Sequence, residues 1–113
     1  MKVIIAGGRD THITFKDIES QIRISDYNIT EIVEGGSSGV DTTAYKYAKY
    51  NKIPVKEFCA EWDVYGKSAG PIRNRQMAEY ADALIAFPGG KGTQDMINVM
   101  RKLKKPICIV VKI

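Results

Sequence analysis

Residues 83–93 read Ala-Leu-Ile-Ala-Phe-Pro-Gly-Gly-Lys-Gly-Thr. Five apolar residues run without alternation from Ala83 to Phe87, Pro88 breaks the run, and Gly89, Gly90 and Gly92 lead into an amphipathic stretch over 93–104. An unbroken apolar run suits a strand buried on both faces, and the 3.6-residue apolar spacing behind it suits a helix. The segment is therefore a strand-turn-helix corner. Working outward, the same order recurs. Apolar runs at 2–6, 29–33, 53–58 and 107–111 alternate with helical patterns at 14–24, 38–50 and 71–80. Such alternation predicts an α/β fold, a Rossmann-like three-layer sandwich around a five-stranded parallel sheet. A chain of 113 residues supports one such domain over 1–113.

All ten glycines lie in four stretches that each follow an apolar run: Gly7-Gly8, Gly35-Gly36 with Gly39, Gly66 with Gly70, and Gly89-Gly90 with Gly92. In a parallel sheet these stretches fall on the carboxyl edge, where doubly wound folds bind ligands at the switch in strand order. Glycine permits close backbone approach and amides aimed at an anion. One rim built this way reads as a phosphate or nucleotide site.

Composition narrows the partners. Hydrophobic content of 44% and charged content of 27% are ordinary for a soluble domain, and no apolar stretch reaches membrane-spanning length. The opening run, Met1 to Ile5, is too short for a signal peptide, so a cytoplasmic protein without membrane contact is expected. Net charge of +4 is compatible with an anionic ligand. Cys59 and Cys108 form neither a disulfide framework nor a metal site, and Cys108 reads as a buried hydrophobe. Neither a cofactor nor a metal is expected. The basic run Arg101, Lys102, Lys104 and Lys105 reads as cations at a helix C-terminus.

Pro88 to Thr93 is the most specific motif: free amides at a helix start, the helix dipole and the Thr93 hydroxyl suit phosphate. A second rim, Gly35 to Asp41, adds Ser37 and Ser38, with Ser38 as the N-cap of its helix. Asp41 has two readings, a helix-start carboxylate or an acceptor for ribose or base. Pro71 suits the first position of the next helix, on which Arg73, Met77 and Ala81 share a face. Arg73 therefore points inward, and its charge calls for an anion, with Arg9 the next candidate. Trp62, in a long loop with Lys67, either stacks on a base or roofs the core edge, and Glu61 joins Asp41 as a candidate acid. Neither G-x-G-x-x-G nor the P-loop pattern is present, which disfavours dinucleotide binding and Walker-type hydrolysis of the usual kind.

At these residues the chain resembles the SLOG superfamily, which groups Smf/DprA-type DNA-processing proteins with Lonely-Guy enzymes. It is most similar to the small YspA/YpsA-related branch found in bacteria and phages. The resemblance rests on Gly7-Gly8-Arg9, Gly35 to Ala44, Ala60-Glu61-Trp62 through Arg73-Asn74, and Pro88 to Thr93. It implies a glycine-rimmed site for nucleotides or ADP-ribose-like molecules, with Asn74 and Asp41 toward ribose or base. Lonely-Guy enzymes split nucleoside monophosphates into base and ribose 5-phosphate with an arginine and a glutamate, in a motif like P-G-G-x-G-T-x-x-E. Here the glutamate position holds Met96, which fits the core stripe Met96, Val99, Met100, Leu103. Asp95 is about 100° away around the helix and is not expected to replace it.

The expectation is a binder of a nucleotide or nucleotide-derived ligand that senses or sequesters it. An N-glycosidic hydrolase with an unusual carboxylate is the alternative, and a single-stranded DNA module ranks last for want of an aromatic stripe. A homodimer is a further expectation, because members of the resembled family dimerise and helices bearing Tyr45, Tyr47 and Tyr50 could pack together.

Overall fold

A computed structural model describes residues 1–111. Its strands are β1 (Lys2–Ala6), β2 (Glu31–Glu34), β3 (Val55–Glu57), β4 (Ala83–Ala86) and β5 (Ile107–Ile109). Its helices are α1 (Phe15–Ser25), α2 (Val40–Tyr50), α3 (Trp62–Tyr65), α4 (Ala69–Tyr80) and α5 (Lys91–Lys102), with a 3-10 turn at Gly66–Ser68. The sheet is parallel throughout, in the order β3-β2-β1-β4-β5. The chain winds outward from β1 to β3, then crosses back to β4. The switch therefore lies between β1 and β4, whose register pairs Val3 with Ala83 and Ala6 with Ala86.

Period-two alternation divides the strand residues between two cores. Val3, Ile5, Ile32, Ala83, Ile85 and Phe87 pack with Ile18 of α1 and Val40, Ala44 and Ala48 of α2. Ile4, Ala6, Val33, Leu84 and Ala86 pack with Met77 and Ala78 of α4 and Met96, Ile97 and Met100 of α5. The three central strands are covered on both faces, which is why they read as continuous apolar runs. The edge strands are not. Lys56 and Glu57 of β3 are exposed, and Cys108 of β5 is half-buried rather than fully enclosed.

Local chemistry sets several boundaries. Thr14 caps α1 in a reciprocal box: its hydroxyl accepts from the Asp17 amide at 3.2 Å, and Asp17 Oδ2 accepts from the Thr14 amide at 2.8 Å. Three expected helix starts differ. Gly39, not Ser38, is the N-cap of α2, and the Ser38 hydroxyl instead donates to the Arg9 carbonyl at 3.4 Å. Helix α4 begins at Ala69, so Pro71 is its third residue, a position where the missing N–H is still harmless. Helix α5 begins at Lys91, which puts Thr93 inside its first turn rather than at its cap. The loop over 59–70 is itself partly helical. Strand β2 is shifted toward Glu34, which is thereby a strand residue.

The basic run serves two helix ends: Arg101 and Lys102 lie in the last turn of α5, and Lys105 reaches another helix. Lys105 Nζ donates to the carbonyls of Ala78 at 2.7 Å, Glu79 at 3.2 Å and Ala81 at 2.7 Å, closing the C-terminus of α4. Among the described residues no helix is long and apolar enough to cross a membrane.

Candidate functional site

The carboxyl ends of β1 and β4 open onto a cavity of about 840 Å³. Its floor is backbone: Gly7 and Gly8 after β1, and Gly89, Gly90 and Gly92 in the corner after β4. The two corners are tied together. The Gly8 amide donates to the Pro88 carbonyl at 2.9 Å, as does the Thr11 hydroxyl at 2.9 Å. A Cβ on Gly89 would run into Thr93 Oγ1 and come within 2.7 Å of the Gly8 nitrogen, so the close approach demands glycine there.

Gly90 and Gly92 differ. A Cβ on either meets nothing within 4 Å, and neither has positive φ. Packing does not require these glycines; their bareness leaves room above the first turn of α5. No side chain caps that helix, whose first amides as in any helix lack an intrahelical acceptor, and Lys91, Gly92 and Thr93 of its first turn line the cavity.

The walls carry charge of both signs. Arg9, Arg73 and Lys91 supply cations, and Asp10, Asp41 and Asp95 supply carboxylates. Arg73 is turned inward. Its guanidinium donates through Nη1 to the Gly35 carbonyl and to the Phe58 carbonyl at 3.5 Å, and through Nε to Asn74 Oδ1 at 3.0 Å. Burial lowers its pKa and the charge of Asp41 opposes that shift. Arg75, by contrast, is exposed.

Asp41 is buried at the start of α2, where its Oδ2 accepts from the Ser37 amide at 3.1 Å. Burial raises its pKa to about 6, against the lowering pull of the Ser37 amide and of Arg73. Behind it lies Glu34, 1% exposed. Its Oε1 accepts from the Gly36 amide at 2.6 Å, while Oε2 has no hydrogen-bond partner among the described residues. Burial raises the Glu34 pKa to about 8, and Glu57 and Asp41 push the same way. The apolar run alone ends the strand at Val33, so the burial of Glu34 is visible only once β2 extends to it.

A smaller recess of about 330 Å³ lies beside the main cavity, lined by Gly35, Gly36, Ser37, Ser38, Cys59 and Ala60. Arg9, Trp62 and Arg73 border both spaces. The Arg9 guanidinium sits over the Trp62 ring at 5.8 Å, a cation–π arrangement. Trp62 is 49% exposed and its ring rests against Gly70, where a Cβ would lie 3.4 Å from Cη2. It forms the cavity wall and does not roof the core. Burial and the nearby Glu57 raise the pKa of Cys59, the opposite of an activated thiolate.

Most of the residues singled out from the sequence thus gather at one lip. Gly39, Lys67, Glu61 and Pro88 do not line either space; Gly39 is packed against the Gly8 and Arg9 carbonyls, Lys67 and Glu61 are exposed, and Pro88 contributes its carbonyl to the Gly8–Thr11 corner. Asn74 lines the cavity, but its amide is engaged internally on both sides, so it organises the site. Asp95, about 100° from Met96 around the helix, shares this wall. It borders the cavity and accepts through Oδ2 from Asn74 Nδ2 at 2.9 Å. Met96, the next residue, is 1% exposed, packs in the core and also borders the cavity. Of the three tyrosines on α2, Tyr47 is 6% exposed and packs edge-on against Phe15 at 5.5 Å, within the chain's own core, while Tyr45 and Tyr50 are exposed.

A parallel sheet in this order, with a glycine-floored cavity at its switch point, defines a Rossmann-like α/β protein. The YspA, cpYpsA-related SLOG family (YAcAr) matches residues 1–65, and the chain belongs to that family. It is also similar to the "Gene 61 protein" of Mycobacterium phage D29, 30% identical over 118 aligned positions that cover 94% of this chain and 93% of that protein.

Proposed function

We propose that this protein binds a nucleotide or nucleotide-derived ligand in the cavity at the β1–β4 switch and acts as a sensor or sequestering protein. The observation that carries the reading is the bare rim of Gly90 and Gly92 above an uncapped helix start, facing Arg9 and Arg73. Free amides and guanidinium groups converging on open space are suited to a phosphate. The cavity of about 840 Å³ is within the range that small-molecule sites occupy, roughly 300–1,000 Å³. Membership of a SLOG family favours the same class of ligand.

The direct test is native mass spectrometry of protein purified from cells, followed by calorimetric titration with nucleoside 5′-monophosphates. A bound mass that is a nucleotide, and binding weakened about tenfold or more in Arg9→Ala, support the reading. Absence of both a co-purified nucleotide and any titratable binding overturns it.

Hydrolysis of the N-glycosidic bond is a second reading, favoured by Asp41. A carboxyl that titrates at about 6 on the cavity wall is tuned for proton transfer near neutrality. Against it stands Met96, an apolar side chain in the core at the position where Lonely-Guy-like motifs have glutamate. Incubation with nucleoside monophosphates decides between the two, since release of free base that stops in Asp41→Asn identifies an enzyme.

A further inference from the structure

The walls of the cavity are not chemically alike, and the difference says which part of a guest goes where. On the glycine side, bare backbone and the uncapped start of α5 favour negative charge. Asp95, one further step along α5, favours the opposite. A phosphate against its carboxylate would suffer like-charge repulsion, whereas neutral hydroxyl donors would be welcomed.

Asp95 is also held for that task. Asn74 is 4% exposed and fully committed: Oδ1 accepts from Arg73 Nε at 3.0 Å, and Nδ2 donates to the Gly92 carbonyl at 3.1 Å and to Asp95 Oδ2 at 2.9 Å. The chain Arg73–Asn74–Asp95 thus ties the inward guanidinium of α4 to the carboxylate of α5. It fixes one oxygen of Asp95 and leaves acceptor capacity on a side chain that borders the opening. The other carboxylate deep in this wall, Asp41, is 6% exposed and already receives the Ser37 amide beside Arg73. Of the two, Asp95 is the accessible acceptor.

We infer that Asp95 is the residue by which the cavity selects a ribose, accepting the vicinal hydroxyls of a ribonucleotide and discriminating against the 2′-deoxy compound. The inference rests on the nucleotide reading above. Asn74 is its positioning residue and does not itself meet the guest.

Titration of the intact protein with the four ribonucleoside 5′-monophosphates and their four 2′-deoxy counterparts tests it. At least one ribonucleotide is expected to bind about ten- to a hundredfold more tightly than its deoxy partner, the scale of a lost hydroxyl to a charged acceptor. In Asp95→Asn that ratio falls toward one while deoxynucleotide affinity holds. A purely structural Asp95 would instead weaken both series in parallel and lower the melting temperature. Equal binding of the two series by the wild type overturns the inference and leaves the nucleotide reading standing. Absence of binding by all eight, with none found co-purified, overturns both.

Discussion

Two glycine corners of the same lip are built for opposite purposes. In the corner from Gly35 to Asp41, which borders the smaller recess, the protein uses the groups itself: Arg73 occupies the space beside Gly35, the Gly36 amide goes to Glu34, and the Ser37 amide goes to Asp41. The corner from Gly89 to Thr93 is tight at Gly89 and open at Gly90 and Gly92. Glycine therefore serves packing and backbone geometry in the first corner, and access in most of the second. The lesson is that a glycine-rich turn marks a binding rim only where neither backbone conformation nor neighbouring atoms already explain the missing side chain.

The sharpest way to break the comparison is Gly39→Ala. Gly39 has φ 74° and ψ −126°, and its Cβ would collide with the carbonyls of Gly8 and Arg9. A loss of about 3 kcal/mol or more in chemical denaturation is expected, because both the conformation and the space exclude a side chain. A variant as stable as the parent would mean that the first corner is not packed as described.

Arg73→Ala comes next. It removes the donor to the Gly35 and Phe58 carbonyls and the cation beside Asp41, so a loss of about 2–3 kcal/mol is expected, together with any nucleotide binding. Unchanged stability would place Arg73 in the service of the guest alone.

Glu34→Gln probes the acids behind the first corner. Folded Glu34 keeps its proton to about pH 8, against 4.5 for an ordinary glutamate. Between those values the folded state binds the extra proton. The contribution of this group is therefore full below about 4.5 and is lost as pH climbs to about 8. Glutamine mimics the protonated form, so the variant should be more stable than wild type at pH 9, by about 2 kcal/mol on the scale of an uncompensated buried group. Its remaining slope between 3.8 and about 6 belongs to Asp41. Parallel pH profiles for the two proteins would show that Glu34 is ionised in the fold.

The smallest stability change, and the most telling, is Gly92→Ala. The position is helical and open, so alanine should stabilise by roughly 0.5–1 kcal/mol through helix propensity. Nucleotide affinity should fall about tenfold as the methyl fills the rim. Stability gained without affinity lost would move the guest away from the second corner.

The contrast between these corners also marks how far the sequence could be read. The alternation of apolar runs, the parallel sheet, the lip on which the glycines gather, the inward turn of Arg73 and the core role of Met96 are all short-range consequences of residue type and period. Three features were not legible. The place of Asp95 on the cavity wall depends on how α5 packs against α4, where Asn74 meets it. Trp62 lines the cavity because the segment over 59–70 coils into α3 and lays its ring on Gly70. Glu34 is buried because β2 extends to it beneath the turn.

By itself the order of residues settled which segments are strands, that they run in parallel, and that the mobile choices of backbone lie at one end of them. These are properties of neighbours in the chain. Which carboxylates share the cavity with Arg73, which amides are left free, and where Asp95 points were decided only when α4 and α5 packed on the sheet. Such facts depend on groups brought together from 21 to 38 positions apart, between Asn74 and Asp95 and between Gly35 and Arg73, and no local pattern encodes that meeting.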